Sequence, residues 1–158
     1  MVVLDQRRSG RLRKRSKASA LTPEEARLLL DSIDVTEIKG VRDRALLAVM
    51  VYSFARVSAV VGMNVDDYYQ QGKRWWLRLH EKGGKHHELP VHHKSEEYLD
   101  AYLRVTGIAD QKDTPLWRSM TKERELREIR MNRQDVFRMI KRRYYEERYL
   151  RLGSSARG

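Results

Sequence analysis

Residues 75–91 read WWLRLHEKGGKHHELPV and predict a β-hairpin. The aromatic and aliphatic residues of the segment from Trp75 to His80 are typical of a strand, and residues 88–91 can form the return strand. Gly83 and Gly84 lie between the two strands, where a tight turn needs residues that adopt positive φ angles. We therefore expect a small antiparallel hairpin that carries a lysine on each side of its glycine turn.

The sequence on both sides of this hairpin has helical patterning. Residues 22–25 read TPEE, which combines an N-cap threonine, a first-turn proline and a capping-box glutamate, and predicts a helix to about Ile33. A helix that starts after Gly40 is apolar around most of its circumference and should be central. The remaining predicted elements are helices at 56–62, at 94–105 and from Asn132 onward, a turn at 70–72 and an extended segment at 115–117. The fold class is therefore mainly α with a small antiparallel β-hairpin or sheet (α+β).

Charge is unevenly distributed along the 158 residues, whose net charge is +11. Residues 7–17 hold seven bases and no acid, and residues 118–151 hold twelve bases against six acids. Basic segments on a nearly neutral body favour a polyanionic partner. We expect residues 1–20 to form a basic flexible arm, 21–152 one domain and 153–158 a disordered tail. The candidate phosphate contacts in the arm are Arg11, Arg13, Lys14 and Arg15.

Several classes of protein are disfavoured by composition. The chain has no cysteine, so it cannot form disulfides or a thiolate zinc site. Its longest uncharged apolar run, Ala45–Ala55, is too short to span a bilayer, and no secretory signal opens the chain. We therefore expect a cytoplasmic protein with no membrane partner.

Five histidines lie within fourteen residues, from His80 to His93, and imidazoles this dense could bind zinc or nickel. Adjacent histidines point to opposite faces of a strand, however, and no carboxylate partner has the spacing of a helical metal site. We expect no metal ion and no cofactor. A histidine-rich metal-binding module remains a further hypothesis, beside the two interpretations of the chain given at the end of this section.

Arg56 lies in the segment FARVSAVVGMNVDD (residues 54–67), where one apolar helix ends and a short one begins. A guanidinium is always protonated and donates in a fork, so it suits a phosphate whose charge grows during a reaction. Lys82 lies at the glycine turn, where the backbone can approach a nucleic acid closely and an ammonium can donate a proton to a leaving alkoxide. Each residue alone is more often an ordinary surface group.

Together and in this order, these pieces resemble the front half of a tyrosine recombinase catalytic domain of the phage integrase family. The pieces are the TPEE helix opening, an R-D-x-A-L-L helix at 42–47, the arginine box of Arg56 and the K-G-G-K hairpin at 82–85 that ends in Leu-Pro. The hairpin after the arginine box is the most specific of them. The resemblance continues more loosely through 115–117 to the helix at 132–143 and covers about three-quarters of the chain.

The resemblance implies a function and roles for single residues. In this family a tyrosine attacks a DNA phosphodiester, arginines hold the phosphate and the hairpin lysine protonates the leaving 5′-oxygen, without a metal. Arg56 corresponds to the first arginine and Lys82 to the hairpin lysine, with Lys85 as runner-up. Lys85 and His87 are further candidate DNA contacts. The implied partner is double-stranded DNA, with other recombinase protomers as a further candidate and no small-molecule substrate.

The chain departs from the family pattern at three places. Ala59 stands where many members have an acidic residue that supports the first arginine. No histidine follows His93, so the His-x-x-Arg box is absent. Tyr144, Tyr145 and Tyr149 lie too early for the nucleophile and are expected to be packing or surface residues of a long helix. Residues 21–152 are therefore expected to be a partial catalytic domain, with a fold like the core of DNA breaking-rejoining enzymes, truncated before its nucleophile.

Two interpretations of the chain as a DNA-binding protein remain open. The first is a recombinase fragment that binds DNA and is inactive alone, so that its status as an enzyme is undecided. The second is a non-catalytic DNA-binding or regulatory protein that uses a recombinase scaffold and pairs with a full-length recombinase. A protein–DNA band that survives denaturation would contradict the inactivity of the fragment, and a co-eluting recombinase partner would favour the second interpretation.

Overall fold

The computed structural model describes residues 21–155, which form five helices and five short strands. The arm residues Arg11, Arg13, Lys14 and Arg15 lie outside the described residues. In chain order the elements are α1 (Pro23–Ser32), α2 (Ile38–Ser53), α3 (Val57–Val61), β1 (Tyr68–Gln71), β2 (Arg74–His80), β3 (His86–Pro90), α4 (His93–Thr106), β4 (Arg118–Met120), β5 (Leu126–Arg130) and α5 (Arg133–Ser155). The prediction of a mainly helical α+β fold is confirmed.

Helix α1 begins with the predicted capping box. The Thr22 hydroxyl accepts a hydrogen bond from the amide of Glu25 at 3.1 Å, and the Glu25 carboxylate accepts one from the amide of Thr22 at 2.8 Å. Because Pro23 has no N–H, the start of the helix has three free amides, and two of them are satisfied in this way. The buried side chains of α1 are Ala26, Leu29 and Leu30, which form one face of the helix.

Helix α2 is the centre of the domain, as its sequence predicts. Its residues from Ala45 to Val49 are at most 1% exposed, so the helix is enclosed by other elements over most of its circumference. Its most extensive contacts are with α4. Leu99 and Tyr102 of α4 are fully buried, and the Tyr102 hydroxyl donates to the backbone carbonyl of Leu116 at 2.7 Å. Burial raises the pKa of Tyr102 to about 12.

The hairpin belongs to a three-stranded antiparallel sheet of order β1-β2-β3. The register pairs Leu79 with His87 across the hairpin, and Tyr68 with Leu77 on the other side of β2. The prediction of a two-stranded hairpin preceded by a turn at 70–72 is therefore wrong for β1. Tyr68 explains the extra strand, because its ring is buried against Trp75 and its hydroxyl donates to Asp100 at 2.7 Å. Of the three residues predicted to form the turn (70–72), only Gly72, at φ 64°, lies in a turn.

A second small sheet pairs β4 with β5, where the sequence predicts only a polar connection. Most of its side chains are polar and exposed or half-exposed, so the sequence lacks the alternation of apolar and polar residues that would predict these two strands. The segment before it is a buried anchor, as expected, because Leu116 and Trp117 are both fully buried. The amide of Leu116 also donates to the carbonyl of Met63 at 3.1 Å, which joins this segment to the end of the arginine-box helix.

Helix α5 begins after Asn132, the predicted N-cap, whose side-chain oxygen accepts a hydrogen bond from the amide of Asp135 at 2.8 Å. The helix is 23 residues long and packs against α1 and α3. Residues 153–155 continue this helix, and residues 156–158 lie outside the described range. The division of the chain into an arm, a domain and a tail stays a prediction. No proline follows Leu152, and Ser154 donates to the carbonyl of Arg151 at 3.1 Å, so nothing local ends the helix earlier.

Candidate nucleic-acid interface

Arg56 lies at the N-cap position of α3. Its backbone carbonyl accepts hydrogen bonds from the amides of Ala59 at 3.0 Å and Val60 at 3.2 Å. The side chain is exposed, and its guanidinium has no hydrogen bond or ion pair with any other residue in the range 21–155. An arginine whose backbone is held by a helix end while its charge is unpaired can bind an external anion.

Ala59 is 4% exposed and belongs to the hydrophobic core. The position at which the family resemblance implies an acidic support for the arginine therefore contributes apolar packing here. No carboxylate from α3 neutralises the guanidinium of Arg56. The full positive charge of Arg56 is available to a ligand, but its side chain lacks the partner that would hold it in one orientation.

Arg130 of β5 holds the other end of α3. Its Nη1 donates to the carbonyls of Val61 and Met63, both at 2.8 Å, and its Nη2 donates to the side-chain oxygen of Asn64 at 2.5 Å. Carbonyls at the end of a helix have no partner within the helix, and the charged guanidinium satisfies them. Burial lowers the pKa of Arg130 from its ordinary value. Arg130 was missed from sequence because it is one of many arginines in a polar stretch.

The hairpin tip is formed by residues 81–85. The amide of Glu81 donates to the carbonyl of Lys85 at 2.8 Å and closes the loop. Gly83 and Gly84 adopt φ angles of 80° and 73°, and a Cβ at either position would meet no atom within 4 Å, so conformation rather than space requires glycine there. Lys82 and Lys85 are exposed and have no ion-pair partner in the part of the chain that the structure describes.

Below the tip, Arg78 of the hairpin stem is paired internally. Arg78 donates to Glu88 on the opposite strand at 3.1 Å, and its guanidinium lies 4.7 Å from the centre of the Tyr69 ring. The hydrogen bond from Arg78, followed by that from Tyr69, lowers the pKa of Glu88. The buried carboxylate of Asp67 contacts His80 at 3.0 Å and Arg78 at 3.6 Å. Arg78 is therefore neutralised within the hairpin, in contrast to Lys82 and Lys85 at its tip.

Arg56 and Lys82 each adjoin one of two elements that contact each other. Helix α3, which starts after Arg56, packs against β2, and β2 leads directly into the tip that carries Lys82. Leu77 and Leu79 of β2 and Val60 of α3 share the same hydrophobic core. His87 is exposed on β3, and Lys85 lies in the tip directly before this strand. The catalytic and DNA-binding roles assigned to these residues from the family resemblance remain predictions.

The five histidines separate into two groups with different partners. His80 contacts Asp67 and approaches His86 edge to face, with ring centres 5.5 Å apart. His92 stacks on Tyr52 with ring centres 3.8 Å apart, and its Nδ1 accepts a hydrogen bond from the amide of Lys94 at 3.1 Å. Within residues 21–155 no three His, Asp or Glu side chains are arranged to hold a metal ion. The histidines of the second group have structural roles at the start of α4.

A buried ion cluster joins α2 to α5 and is separate from this interface. Asp43 is fully buried, and its carboxylate accepts hydrogen bonds from Arg42 at 2.8 and 3.0 Å, Arg142 at 2.9 Å and Arg143 at 2.9 and 3.1 Å. Arg42 also donates to the carbonyl of Arg118 in β4 at 2.7 Å. The Arg-Asp pair of the R-D-x-A-L-L motif therefore connects three elements of the core.

The tyrosines of α5 are on its surface, as the sequence predicts. The exposed fractions of Tyr145 and Tyr149 are 56% and 78%, and Tyr144 is half-buried. Tyr144 and Tyr145 contact each other edge to face. Among the described helices, none combines the length and the apolar character needed to cross a lipid bilayer.

Comparison with known proteins identifies the family of the chain. The family model described as "Phage integrase family" matches residues 19–152, and the chain therefore belongs to the phage integrase family. The predicted resemblance to tyrosine recombinases is confirmed. Tyrosine recombinase XerC of Myxococcus xanthus is 34% identical over 87 residues, which cover 55% of this chain and 28% of that protein. Tyrosine recombinase XerD of Mycobacterium leprae is 37% identical over 95 residues, which cover 58% of this chain and 29% of that protein.

The solved structures show a similar fold. The XerH site-specific recombinase, bound to a palindromic difH substrate in a post-cleavage complex, matches 80% of this chain with a TM-score of 0.60 and 16% identity. The match covers 35% of that XerH chain. The chain thus corresponds to about a third or less of the recombinases that it matches.

Proposed function

We propose that this chain binds double-stranded DNA as part of a tyrosine recombinase catalytic domain that acts in site-specific recombination. The observation that carries the proposal is a pair of unpaired cations in a phage integrase family domain: Arg56 directly precedes α3, Lys82 lies in the tip that follows β2, and α3 packs against β2. Because DNA is in the cytoplasm of bacteria such as those that encode the relatives, the proposal also implies a cytoplasmic location.

In the proposed mechanism Arg56 donates two hydrogen bonds to one phosphodiester and stabilises the charge that develops on its oxygens. Lys82 protonates the 5′-oxygen as it leaves, and Lys85 is the alternative donor. Lys85 and His87 contact the backbone beside it. Residues 1–20, with Arg11, Arg13, Lys14 and Arg15, add phosphate contacts that carry no sequence information.

The same proposal limits what the chain does alone. The 158 residues contain no His-x-x-Arg sequence, so the second arginine and the histidine that the family pattern places on the phosphate are not supplied by them. Without a tyrosine in the corresponding position, no covalent phosphotyrosyl bond can form. We therefore expect salt-sensitive duplex binding without strand cleavage. We assign this DNA binding to a partial catalytic domain formed by residues 21–152.

The test is fluorescence anisotropy with a labelled DNA duplex at two salt concentrations. The variants Arg56→Ala and Lys82→Ala should each weaken binding about 5- to 10-fold and flatten the salt dependence. Arg104→Ala is the matched control, because this exposed arginine lies eleven residues along α4 from its start, roughly 16 Å from the end that adjoins the hairpin. Equal losses for all three variants would show diffuse charge attraction and contradict a site at Arg56 and Lys82.

Two further measurements test the arm and the lack of cleavage. Replacement of Arg11, Arg13, Lys14 and Arg15 together by alanine should lower affinity and reduce the salt slope by up to about 3–4. Incubation with a nicked suicide duplex should leave no protein–DNA band on a denaturing gel. A band that survives denaturation would contradict the expected inactivity.

One observation favours the alternative of a regulatory protein on a recombinase scaffold. Ala59 is packed in the core where an acidic support for Arg56 is expected, which suits binding of phosphate better than catalysis on it. This alternative predicts co-elution with a full-length recombinase protomer. It also predicts that fusion of the missing His-x-x-Arg and Tyr segment restores no cleavage, whereas a recombinase fragment should regain it.

A further inference from the structure

Phe54 ends helix α2 in a conformation that its side chain disfavours. Its φ and ψ angles are 57° and 19°, in the left-handed region. Within residues 21–155 only Phe54 and Arg124 combine a side chain with positive φ. The position at the end of a helix is one that glycine normally occupies, because a Cβ crowds the following carbonyl oxygen there. The need to end the helix therefore does not explain a phenylalanine at this position.

Core packing does not explain the residue either. The Phe54 ring is 72% exposed, so folding buries little of its apolar surface. An exposed aromatic side chain in a disfavoured backbone conformation makes no net contribution to the stability of the free protein. Features of this kind are concentrated at sites where the chain meets a ligand.

The surrounding turn holds Phe54 in place. Ser53 donates to the carbonyl of Val49, and its hydroxyl oxygen accepts a hydrogen bond from the amide of Ala55 at 3.2 Å. Ala55 packs against the hydrophobic core. The strained conformation is thus imposed by hydrogen bonds and packing on both sides, and the ring is presented at a defined position.

Phe54 and Arg56 flank this packed alanine, and both are exposed. Arg56 has no partner within the described range, so an anion can approach its guanidinium directly. An exposed apolar ring two residues along the chain from a free guanidinium suits the alternation of a nucleic-acid strand, in which each charged phosphate is joined to an apolar sugar edge. A protein partner would have to provide a carboxylate and an apolar side chain at the same spacing.

We infer that Phe54 is a DNA-contacting residue whose ring packs against the deoxyribose adjoining the phosphate that Arg56 binds. The inference rests on the proposed function and adds to it an apolar contact that orients the strand. The ring has no hydrogen-bond donor or acceptor, so the contact is independent of base sequence. Ala59 offers no acidic group that would orient Arg56. Contact of the Phe54 ring with the sugar would instead help to position the phosphate in front of Arg56.

The inference predicts that stability and affinity change in opposite directions. Phe54→Gly and Phe54→Asn both suit positive φ and remove the ring. In the full chain they should raise the melting temperature by about 1–3 °C, through relief of backbone strain, and weaken duplex binding about fivefold or more. Phe54→Tyr keeps the ring and should keep wild-type affinity. Tyr149→Ala removes another exposed aromatic side chain and should leave affinity unchanged.

Arg56→Ala, measured in the same anisotropy assay, separates this inference from the proposed function. If Arg56→Ala weakens binding and Phe54→Gly does not, the proposed site stands and the role of Phe54 is rejected. If Arg56→Ala has no effect, the proposed site fails, and the inference fails with it. Loss of affinity in Phe54→Gly together with a lower melting temperature would show a structural role and overturn the inference.

The double variant Phe54→Gly/Arg56→Ala completes a cycle. Two side chains that contact the same nucleotide should be coupled, so the loss in the double variant should differ from the product of the two single losses by at least about twofold. Independent, multiplicative losses would mean that the two residues contact different parts of the DNA and would overturn the shared-nucleotide contact. Unchanged DNA binding with loss of a co-eluting protein would instead assign Phe54 to a protein partner.

Discussion

Arg143 donates two hydrogen bonds to one oxygen of Asp43, from Nε at 3.1 Å and from Nη2 at 2.9 Å, and these two residues, 100 positions apart in sequence, join α5 to α2. Asp43 is fully buried, and Arg42 and Arg142 share the same carboxylate. A single buried acid thus binds three arginines, of which Arg42 and Arg143 are buried. Three strong donors on one carboxylate make this the main polar connection between α2 and α5.

Asp43→Asn should therefore destabilise the protein strongly. The substitution leaves the buried Arg42 without a counter-charge and leaves Arg143 with only the half-exposed Glu146, and breaking a buried ion pair typically costs about 3–5 kcal/mol. Urea unfolding followed by circular dichroism measures the loss. Glu146→Gln is the matched control, because Glu146 pairs with Arg143 at 3.0 Å but its side chain is 48% exposed, so its removal should cost less than about 1 kcal/mol. Equal effects of the two substitutions would contradict a buried cluster.

Arg130→Met should loosen the end of α3. The variant removes three hydrogen bonds to Val61, Met63 and Asn64, and the expected loss of stability is about 2–3 kcal/mol. DNA affinity measured well below the unfolding temperature should also fall, since α3 carries Arg56 at its other end. Arg127→Met is the control on the same strand, where the arginine is exposed.

Arg130→Lys distinguishes charge from geometry at this position. Lysine keeps the positive charge but cannot reach two carbonyls and a side-chain oxygen with one rigid fork. We expect it to recover part of the stability and part of the affinity. Full recovery by lysine would mean that the carbonyl contacts of Arg130 contribute little.

Gly40→Ala should be among the most damaging single substitutions in α2. A Cβ at position 40 would lie 1.7 Å from the backbone carbonyl oxygen of Asp34, and backbone atoms cannot move aside as a side chain can. The close approach of the loop after α1 to the first turn of α2 depends on this glycine. A thermal melt should show a loss of several kcal/mol or no folded protein at all.

Gly153→Ala is the matched control for that substitution. Its Cβ would meet no atom within 4 Å, and the residue is helical in α5. Alanine has the higher helix propensity, so the melting temperature should be unchanged or slightly higher. A comparable loss in both variants would show that close packing at Gly40 is not the cause.

Stability should decrease at acid pH because of His92. Burial, followed by the charges of His93 and Lys94, lowers the pKa of His92 below its ordinary value of 6.5 in the folded protein. The unfolded chain therefore binds the proton more tightly, so this contribution to stability is complete above pH 6.5 and is lost as the pH falls toward the folded-state pKa. Protonation also removes the Nδ1 lone pair that caps α4.

Melting temperatures between pH 8 and pH 5 for wild type and His92→Asn isolate this effect. Asparagine is a good N-cap that does not titrate in this range. The difference in melting temperature between the two proteins should therefore shift in favour of His92→Asn as the pH decreases. A difference that is independent of pH would contradict a titrating cap.

Prediction from sequence succeeded where the signal is local. The TPEE capping box, the Asn132 cap and the glycine turn of the hairpin each depend on residues within a few positions of one another, and all three are present. It failed for β1 and for the β4–β5 hairpin, whose polar residues pair with strands or loops that their own pattern does not indicate. Arg130 was missed for the same reason, since its partners are 66 to 69 residues away.

The order of motifs along the chain was enough to identify the family. The choice of Arg56 and Lys82 as site residues follows from the same order of motifs and stays a prediction. The folded chain alone shows which of its many arginines are free. Arg42, Arg143 and Arg130 bind internal acceptors, whereas Arg56 does not, and this depends on burial and on partners distant in sequence. The sequence determines how many charges the protein carries, but the packing of the folded chain determines which of them are free to bind a ligand.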